Sequence, residues 1–478
     1  MTASVLTSAP VSVKPVSSAP WRALPLLLIG AFLPMLDAFI VNVALTSIGS
    51  SLHASSAALE LTVAGYGLAY ACTLVAGGRL GDKFGRRRLF LIGMAGFTIT
   101  SAACGLAPGI GVLIAFRILQ GFTAALMYPQ VLGAIQAGFS GADRQKAVAA
   151  FGATAGASAA IGQLLGGVLL SADLWGGWRP LFLINVPIGI VGFILSIRMI
   201  PETKAEKSAP IDVRGGIGLA ATISLLLIPL TFGRTSGWPL WAWLSLAAVV
   251  PVGAIFIAAQ RRMENAGRTP LLPPSLLRIH LARQALIALA LFATCIGGFL
   301  FTMTLILQVG HGFSPIEAGL TMAPCTLSFF GMALYAGKLT ARFGAKFLVA
   351  SATVFAGGVA LFGAIAAAAG SSLTVVEAAA PLAIVGFGWA GALLPLIGYT
   401  LTGLPANRAG LAGGVLSTTM QVSLALGAAA LGSLIYMVVG SHPDAMAWRT
   451  GTLVVVGVET TLALATAFAC SRLRHSIA

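Results

Sequence analysis

Charge is what this 478-residue chain has least of: Asp, Glu, Lys and Arg together make up 9%, and only 13 residues are acidic. A soluble domain carries roughly a quarter charged residues, so a water-soluble fold is excluded. Cysteine is also sparse. Cys72, Cys104, Cys295, Cys325 and Cys470 all fall within apolar stretches, and none forms a CxxC pair. That argues against a disulfide framework or a thiolate metal site. There is no GxxxxGK[ST] loop, zinc motif, histidine pair or G-x-S-x-G elbow, and His53, His280, His311, His442 and His475 are read as loop or tail residues. An ATP-driven pump or a membrane hydrolase has no residues here to run its chemistry. No metal and no cofactor are expected.

What is present is apolar sequence, 58% of the chain. Runs of about 18 or more apolar residues read as spanning helices, and they recur from Leu24 to Cys470. Fourteen are read, including 214–233 and 240–260, which carry no ionisable residue in their apolar cores. The formal charge of +15 suggests a nucleic-acid partner, but its distribution argues for none. Of the 28 Lys and Arg residues, 24 fall in alternate loops or the two tails; the intervening loops hold Arg179, Arg234 and Arg449, and Arg117 lies inside a span. This is the positive-inside pattern. It predicts cytoplasmic termini and therefore an even number of spans. The first residues, rich in Ser, Pro and Val, read as a tail over 1–21. A cleavable signal is disfavoured, because the first apolar run contains Asp37 and is long enough to span.

An internal repeat divides the chain. Gly78-Arg-Leu-Gly-Asp-Lys-Phe-Gly-Arg-Arg-Arg-Leu89 matches Gly337-Lys-Leu-Thr-Ala-Arg-Phe-Gly-Ala-Lys-Phe-Leu348 at an offset of 259 residues. Each copy follows the second span of its half, so the spans group as six, two and six. The expected units are a six-helix bundle over 22–200, a linker with two extra helices over 201–281, a second six-helix bundle over 282–472 and a tail over 473–478. Such repeats mark secondary transporters, with the substrate site at the repeat interface. In the first copy, Gly81 and Gly85 allow a tight turn between two helices. Asp82 can accept backbone N–H bonds, pair with the nearby arginines or suit a helix N-terminus. A merely basic loop would explain Arg86, Arg87 and Arg88, but not the Gly-Asp-x-x-Gly core.

With that loop in view, the chain resembles the fourteen-span drug:proton antiporters of the major facilitator superfamily. The loop Gly78 to Arg88 is similar to that superfamily's signature between its second and third helices. Leu36-Asp37-Ala38-Phe39-Ile40-Val41-Asn42-Val43-Ala44-Leu45 looks like the first-helix signature of the fourteen-span group. Arg117-Ile-Leu-Gln120-Gly121 looks like the fourth-helix signature, and Gly162-Gln-Leu-Leu-Gly-Gly167 the end of the antiporter signature in the fifth. Trp178-Arg179-Pro-Leu-Phe182-Leu-Ile-Asn185-Val-Pro187 resembles the start of the sixth. The resemblance runs from about Trp21 to Arg474. Three positions depart from it: Gln163 stands where Pro is usual, Ala64 where some relatives carry an acid, and Ala341 replaces Asp in the second loop copy.

The candidate proton-coupling residues are Asp37 and Arg117. Asp37 sits near the middle of the first span, where a charge is costly in hydrocarbon and should face a cavity or a partner. A carboxylate there that loads and releases a proton is a coupling device; the alternative is a structural acid paired with Arg or a helix end. The resemblance implies that the first and fourth helices line one cavity, placing Arg117 within reach of Asp37. There it either tunes proton release or holds helices together. Glu459, central in the last span, makes either a polar contact to a neighbouring helix or a contribution to the pathway. Glu60, Glu317 and Glu377 read as helix-start acids. Asn42, Gln120, Gln163, Asn185, Gln308 and Gln421 could furnish hydrogen bonds in a cavity or join helices. Tyr66, Phe39 and Trp389 could line an apolar site, although most aromatics belong to packing or the lipid interface.

These readings predict an all-α membrane protein with the major facilitator fold. It would be a multi-pass protein of the cell membrane, working as a monomer and driven by the proton gradient. The expected function is proton-coupled export of lipophilic drugs, antibiotics or toxic natural products by alternating access. The alternatives are a proton-coupled importer of a metabolite and a non-transporting membrane sensor with the same fold.

Overall fold

The computed structural model describes residues 19–172, 177–203, 212–233, 236–268, 270–402, 409–440 and 444–473. These residues form helices and short connections, with no strand among them. The first set is α1 (Ala19–Leu52), α2 (Ser56–Phe84), α3 (Arg86–Gly105), α4 (Ile110–Gly138), α5 (Gly141–Ser171) and the pair α6 (Pro180–Leu183) and α7 (Asn185–Met199). Then come α8 (Val213–Phe232) and α9 (Leu240–Asn265). The last set is α10 (His280–Thr304), α11 (Pro315–Phe343), α12 (Ala345–Ala369), α13 (Val375–Thr402), α14 (Ala409–Val439) and α15 (Ala445–Leu473). Thirteen helices among the described residues are long and apolar enough to cross a membrane, with α6 and α7 counted as one. The 31-residue α5 is not among those thirteen. Within the described residues, α1 is helical from Ala19 and α15 is helical to Leu473.

The two sets of helices share one pattern of neighbours. In the first, α2 packs on α4, α3 on α4, α1 on α5 and α1 on α7. In the second, α11 packs on α13, α12 on α13, α10 on α14 and α10 on α15. The sets meet at two seams, α5 against α11 and α2 against α14. Helix α8 lies on the second seam, where its Ile223 and Leu227 pack with Ala71 of α2 and Val422 and Ala425 of α14. Helix α9 packs on α8 and presents Trp243, Leu244, Val250 and Ile255 outward. An outward face this apolar suits lipid rather than water.

Close approach explains why small residues sit where they do. A Cβ on Gly77 would lie 2.1 Å from the Ala125 carbonyl oxygen of α4, and one on Gly386 would lie 1.9 Å from that of Cys325 in α11. These contacts bring the α2–α4 and α11–α13 backbones together, which a larger residue would prevent. Local signals set several helix starts. Ser314 and Glu317 form a capping box at α11, and Thr374 and Glu377 exchange the same bonds at α13. Both arrangements satisfy N–H groups that have no intrahelical partner.

Replacing Gly77 with Ala should therefore strain the α2–α4 contact by about 1–3 kcal/mol. The expected result is a lower Tm for the detergent-purified variant. Gly331→Ala, where a Cβ meets nothing within 4 Å, should leave Tm unchanged.

Candidate functional site

The polar centre of the first half forms around Asp37, which is fully buried. Its Oδ2 pairs with Nη1 of Arg117 on α4, a residue that is itself fully buried. Its Oδ1 accepts from Gln120 Nε2 at 3.1 Å and from Asn185 Nδ2 at 3.0 Å. The sequence explains these placements. Arg117 and Gln120 are three residues apart on α4 and therefore share a face. Asn185 opens α7 immediately after the break that follows α6, which frees its side chain to turn inward.

Arg117 is held from several directions. Its Nε donates to the Thr62 carbonyl at 3.2 Å, and Nη1 also donates to Gln120 Oε1 at 2.8 Å. The guanidinium lies 4.2 Å from the Tyr66 ring centroid and 5.7 Å from that of Phe182. Tyr66 is fixed in turn by its hydroxyl, which donates to the Pro34 carbonyl at 2.9 Å. The network continues through Asn185 Nδ2 to Ser101 Oγ at 3.0 Å, whose hydroxyl donates to the Phe182 carbonyl at 2.9 Å. Six elements, α1, α2, α3, α4, α6 and α7, thus converge on one ion pair. Burying such a pair is favourable only when the remaining polar atoms also find partners. Arg117 Nη2 and Asn185 Oδ1 are the two without one.

From Arg117 an aromatic ladder crosses towards the second half. Tyr66 stacks on Tyr70 at 5.9 Å, Tyr70 meets Tyr128 edge-on at 6.0 Å, and Tyr128 meets Phe151 of α5 at 5.3 Å. Gln421 on α14 donates to the Tyr70 hydroxyl at 3.4 Å, linking the halves. Ser101, Thr62, Tyr70 and Tyr128 therefore belong to the site although they carry no motif signal. Asn42 and Gln163 are on α1 and α5, but their side chains lie outside the described residues. Glu459 is elsewhere, buried between α15 and α10, where its Oε1 lies 2.7 Å from Thr302 Oγ1. Trp389 packs with Phe299 and Phe329 in an apolar cluster of the second half.

The Gly78 to Arg88 segment is a helix-to-helix corner. Gly85 has φ +103°, which separates α2 from α3 and favours glycine. Asp82 pairs with Arg86 across that corner at 2.7 Å. The Arg86 side chain is buried, its Nε 2.9 Å from where a Cβ on Gly133 of α4 would stand. Gln130 Nε2 donates to the Gly77 carbonyl at 2.8 Å, and its amide occupies the space that any side chain at Gly81 would need. Beyond α7, Glu202 accepts from the Arg87 N–H at 3.2 Å, the Thr203 carbonyl accepts from the Arg86 N–H at 3.1 Å, and the Arg87 side chain donates to the Ile197 carbonyl. Arg79 reaches the linker, donating to the Pro270 carbonyl at 2.5 Å. The second copy keeps the glycine corner, with Gly344 at φ +57° between α11 and α12, but has Ala341 where the first has Asp82.

At the opposite end of α3, Arg179 donates to the Gly105 and Ala107 carbonyls at 3.0 Å each, and its guanidinium lies 4.7 Å from the Trp178 ring. This holds the end of α3 against α6 and so helps aim Asn185. No group of three or more metal-ligating side chains occurs among the described residues.

The chain is similar to known proteins along most of its length. The chain is 36% identical over 427 residues to a probable actinorhodin transporter of Streptomyces coelicolor, covering 89% of this chain and 74% of that protein. It is 32% identical over 457 residues to the tetracenomycin C resistance and export protein of Streptomyces glaucescens, covering 93% and 81%. It is 31% identical over 433 residues to the multidrug resistance protein Stp of Mycobacterium tuberculosis, covering 89% and 76%. The fold matches that of the human organic anion transporter MFSD10 with a TM-score of 0.64 at 15% identity, covering 94% of this chain and 99% of that one. The description of the Major Facilitator Superfamily matches residues 27–428, and the chain belongs to that superfamily of multi-pass membrane transporters.

Proposed function

We propose that this protein is a proton-coupled exporter that moves lipophilic drugs, antibiotics or toxic natural products out of the cell by alternating access. The observation that carries the reading is the buried Asp37–Arg117 pair, enclosed by Gln120, Asn185, Thr62 and Tyr66. Relatives named for antibiotic export and multidrug resistance support the substrate class. The alternating basic loops support cytoplasmic termini. Taking α5 as the fourteenth span gives two six-helix bundles, over 22–200 and 282–472, with α8 and α9 between them.

In this reading Asp37 takes a proton from the outside and releases it towards the cytoplasm. Protonation removes the negative charge that Arg117 faces. Arg117 stays in place, because Gln120, the Thr62 carbonyl and the Tyr66 ring hold it independently of Asp37. The Gln120 and Asn185 amides continue to hold the carboxyl. The site can therefore exist in both protonation states without a cation leaving its seat. Gln421 on Tyr70 and the tyrosine ladder connect this change to the seam between the halves. A membrane potential contributes about 2.3 kcal/mol per charge per 100 mV, so one net charge at roughly 150 mV supports a gradient of a few hundredfold.

Two measurements test the reading. Asp37→Asn in proteoliposomes should abolish proton-driven efflux of a lipophilic dye while leaving dye binding; efflux at the wild-type rate would overturn the assignment. Arg117→Leu should lower stability by about 3–5 kcal/mol, since it leaves Asp37 as an uncompensated buried charge. Combining it with Asp37→Asn should recover much of that loss in thermal unfolding of the purified protein.

A further inference from the structure

The second half contains one buried acid that the coupling site above does not use. Glu459 lies at the midpoint of the 29-residue α15, 14 residues from either end. It is fully buried, and none of the ion pairs among the described residues includes it. The elements packed on α15 offer no cation at its depth. Helix α10 carries His280 and Arg283 in its first turn, together with Cys295; α12 carries Lys346 in its first turn; α14 carries Tyr436; the turns 305–310 and 370–372 carry no ionisable group. On α15 itself Arg449 and Arg472 sit near the two ends, and Cys470 lies one helix end away. Cys295 is the titratable side chain that reaches Glu459, and its Sγ contacts the Glu459 backbone carbonyl at 3.3 Å rather than the carboxyl.

The hydrogen bonds indicate which state the carboxyl is in. Thr302 Oγ1 lies 2.7 Å from Glu459 Oε1 and 3.0 Å from the Gly298 carbonyl. A threonine hydroxyl has one proton to donate, and a carbonyl can only accept it. If Glu459 were a carboxylate, both neighbours of Thr302 would compete for that proton, and Oε2, which has no partner, would be a bare charge in hydrocarbon. A neutral acid resolves the conflict: Glu459 donates its O–H to Thr302 Oγ1, and Thr302 donates to Gly298. Placement supports a functional reading. In each half a carboxyl is buried near the contact between the first and last helices, α1 with α7 and α10 with α15. Asp37 is on the first helix of its half and Glu459 on the last. One turn beyond Thr302, α10 changes to π-helical winding over Leu305–Gly310, a feature frequent at functional sites.

We propose that Glu459 is a second proton-carrying site, occupied in this conformation while the Arg117-paired Asp37 is not. The Glu459 O–H bond breaks when movement of α10 against α15 admits water, the proton passing to that water and leaving the carboxylate. This coupling role rests on the exporter reading above; the protonation itself does not. With two carrying sites, export of a lipophilic monocation moves net charge and draws on the membrane potential.

Infrared spectra of the purified full chain at neutral pH test the protonation. The wild type should show a C=O band of a protonated acid that shifts when glutamate, but not aspartate, is carboxyl-labelled with a heavy isotope. Glu459→Gln should lack the band, and Asp37→Asn should keep it. A missing wild-type band, or one that survives in Glu459→Gln, overturns the proposal whether or not the protein transports. Ethidium efflux in proteoliposomes then tests the coupling. Glu459→Gln, which retains a donor for Thr302, should lose the response to membrane potential, lowering the steady-state gradient by up to a few hundredfold at roughly 150 mV. A lost band with an unchanged response to potential would make Glu459 a structural acid and overturn its carrying role. Absence of any wild-type efflux would count against the exporter reading and the carrying role, with the infrared result still deciding the protonation.

Discussion

A charge in the hydrocarbon of a membrane must be answered from within the protein, and the buried Asp37–Arg117 pair shows what that answer requires. Asp37 on α1 draws in α4 through Arg117 and Gln120, and α7 through Asn185. Arg117 draws in α2 through the Thr62 carbonyl and Tyr66. Asn185 extends the set to α3 through Ser101. Water could have replaced any one of these contacts in a soluble protein. In a membrane each lost partner costs free energy directly, so the position of one carboxyl constrains much of the first half.

The same rule operates at the ends of the helices. Arg86, Arg87, Arg79 and Arg179 each direct a guanidinium to a carboxylate or to backbone carbonyls at helix ends or in the linker. Arg79, Arg86 and Arg87 follow the charge bias of the loops while Arg179 does not, and the Arg79, Arg87 and Arg179 side chains join segments that are distant in sequence. The Asp82–Arg86 pair and the Glu202 contact tie the α2–α3 corner to the end of α7. The second copy has the glycine turn without the acid. The first half therefore has a charged clasp at this corner that the second lacks.

The halves also differ in what fills them. Both use the same helix contacts, brought close by glycine. The first contains an ion pair and a tyrosine ladder, the second an aromatic cluster around Trp389 and a buried acid outside every ion pair among the described residues. Helices α8 and α9 add a further asymmetry. Helix α8 lies on the α2–α14 seam, fastened by Cys72 to the Ala220 carbonyl and by Ser433 to the Leu230 carbonyl, and α9 packs on α8.

Much of this was legible in the sequence, for physical reasons. Long apolar runs can be only spanning helices, so the fold class follows from composition. The repeated Gly-containing loop, Asp37 deep in a span and the Arg117–Gln120 spacing all mark their places locally. Thr62, Ser101, Tyr70, Tyr128 and Thr302 had no such mark, because a hydroxyl or a carbonyl in an apolar helix looks alike wherever it faces. Gln130 and Gly133 were equally silent, since their roles depend on the corner that packs against them. By itself the sequence determined the helices, the repeat and the few costly charges, which are properties of short segments. Only the tertiary structure decided that Asp37 has a cation and that Glu459 has none among the described residues, because a counter-ion is a matter of which helices meet.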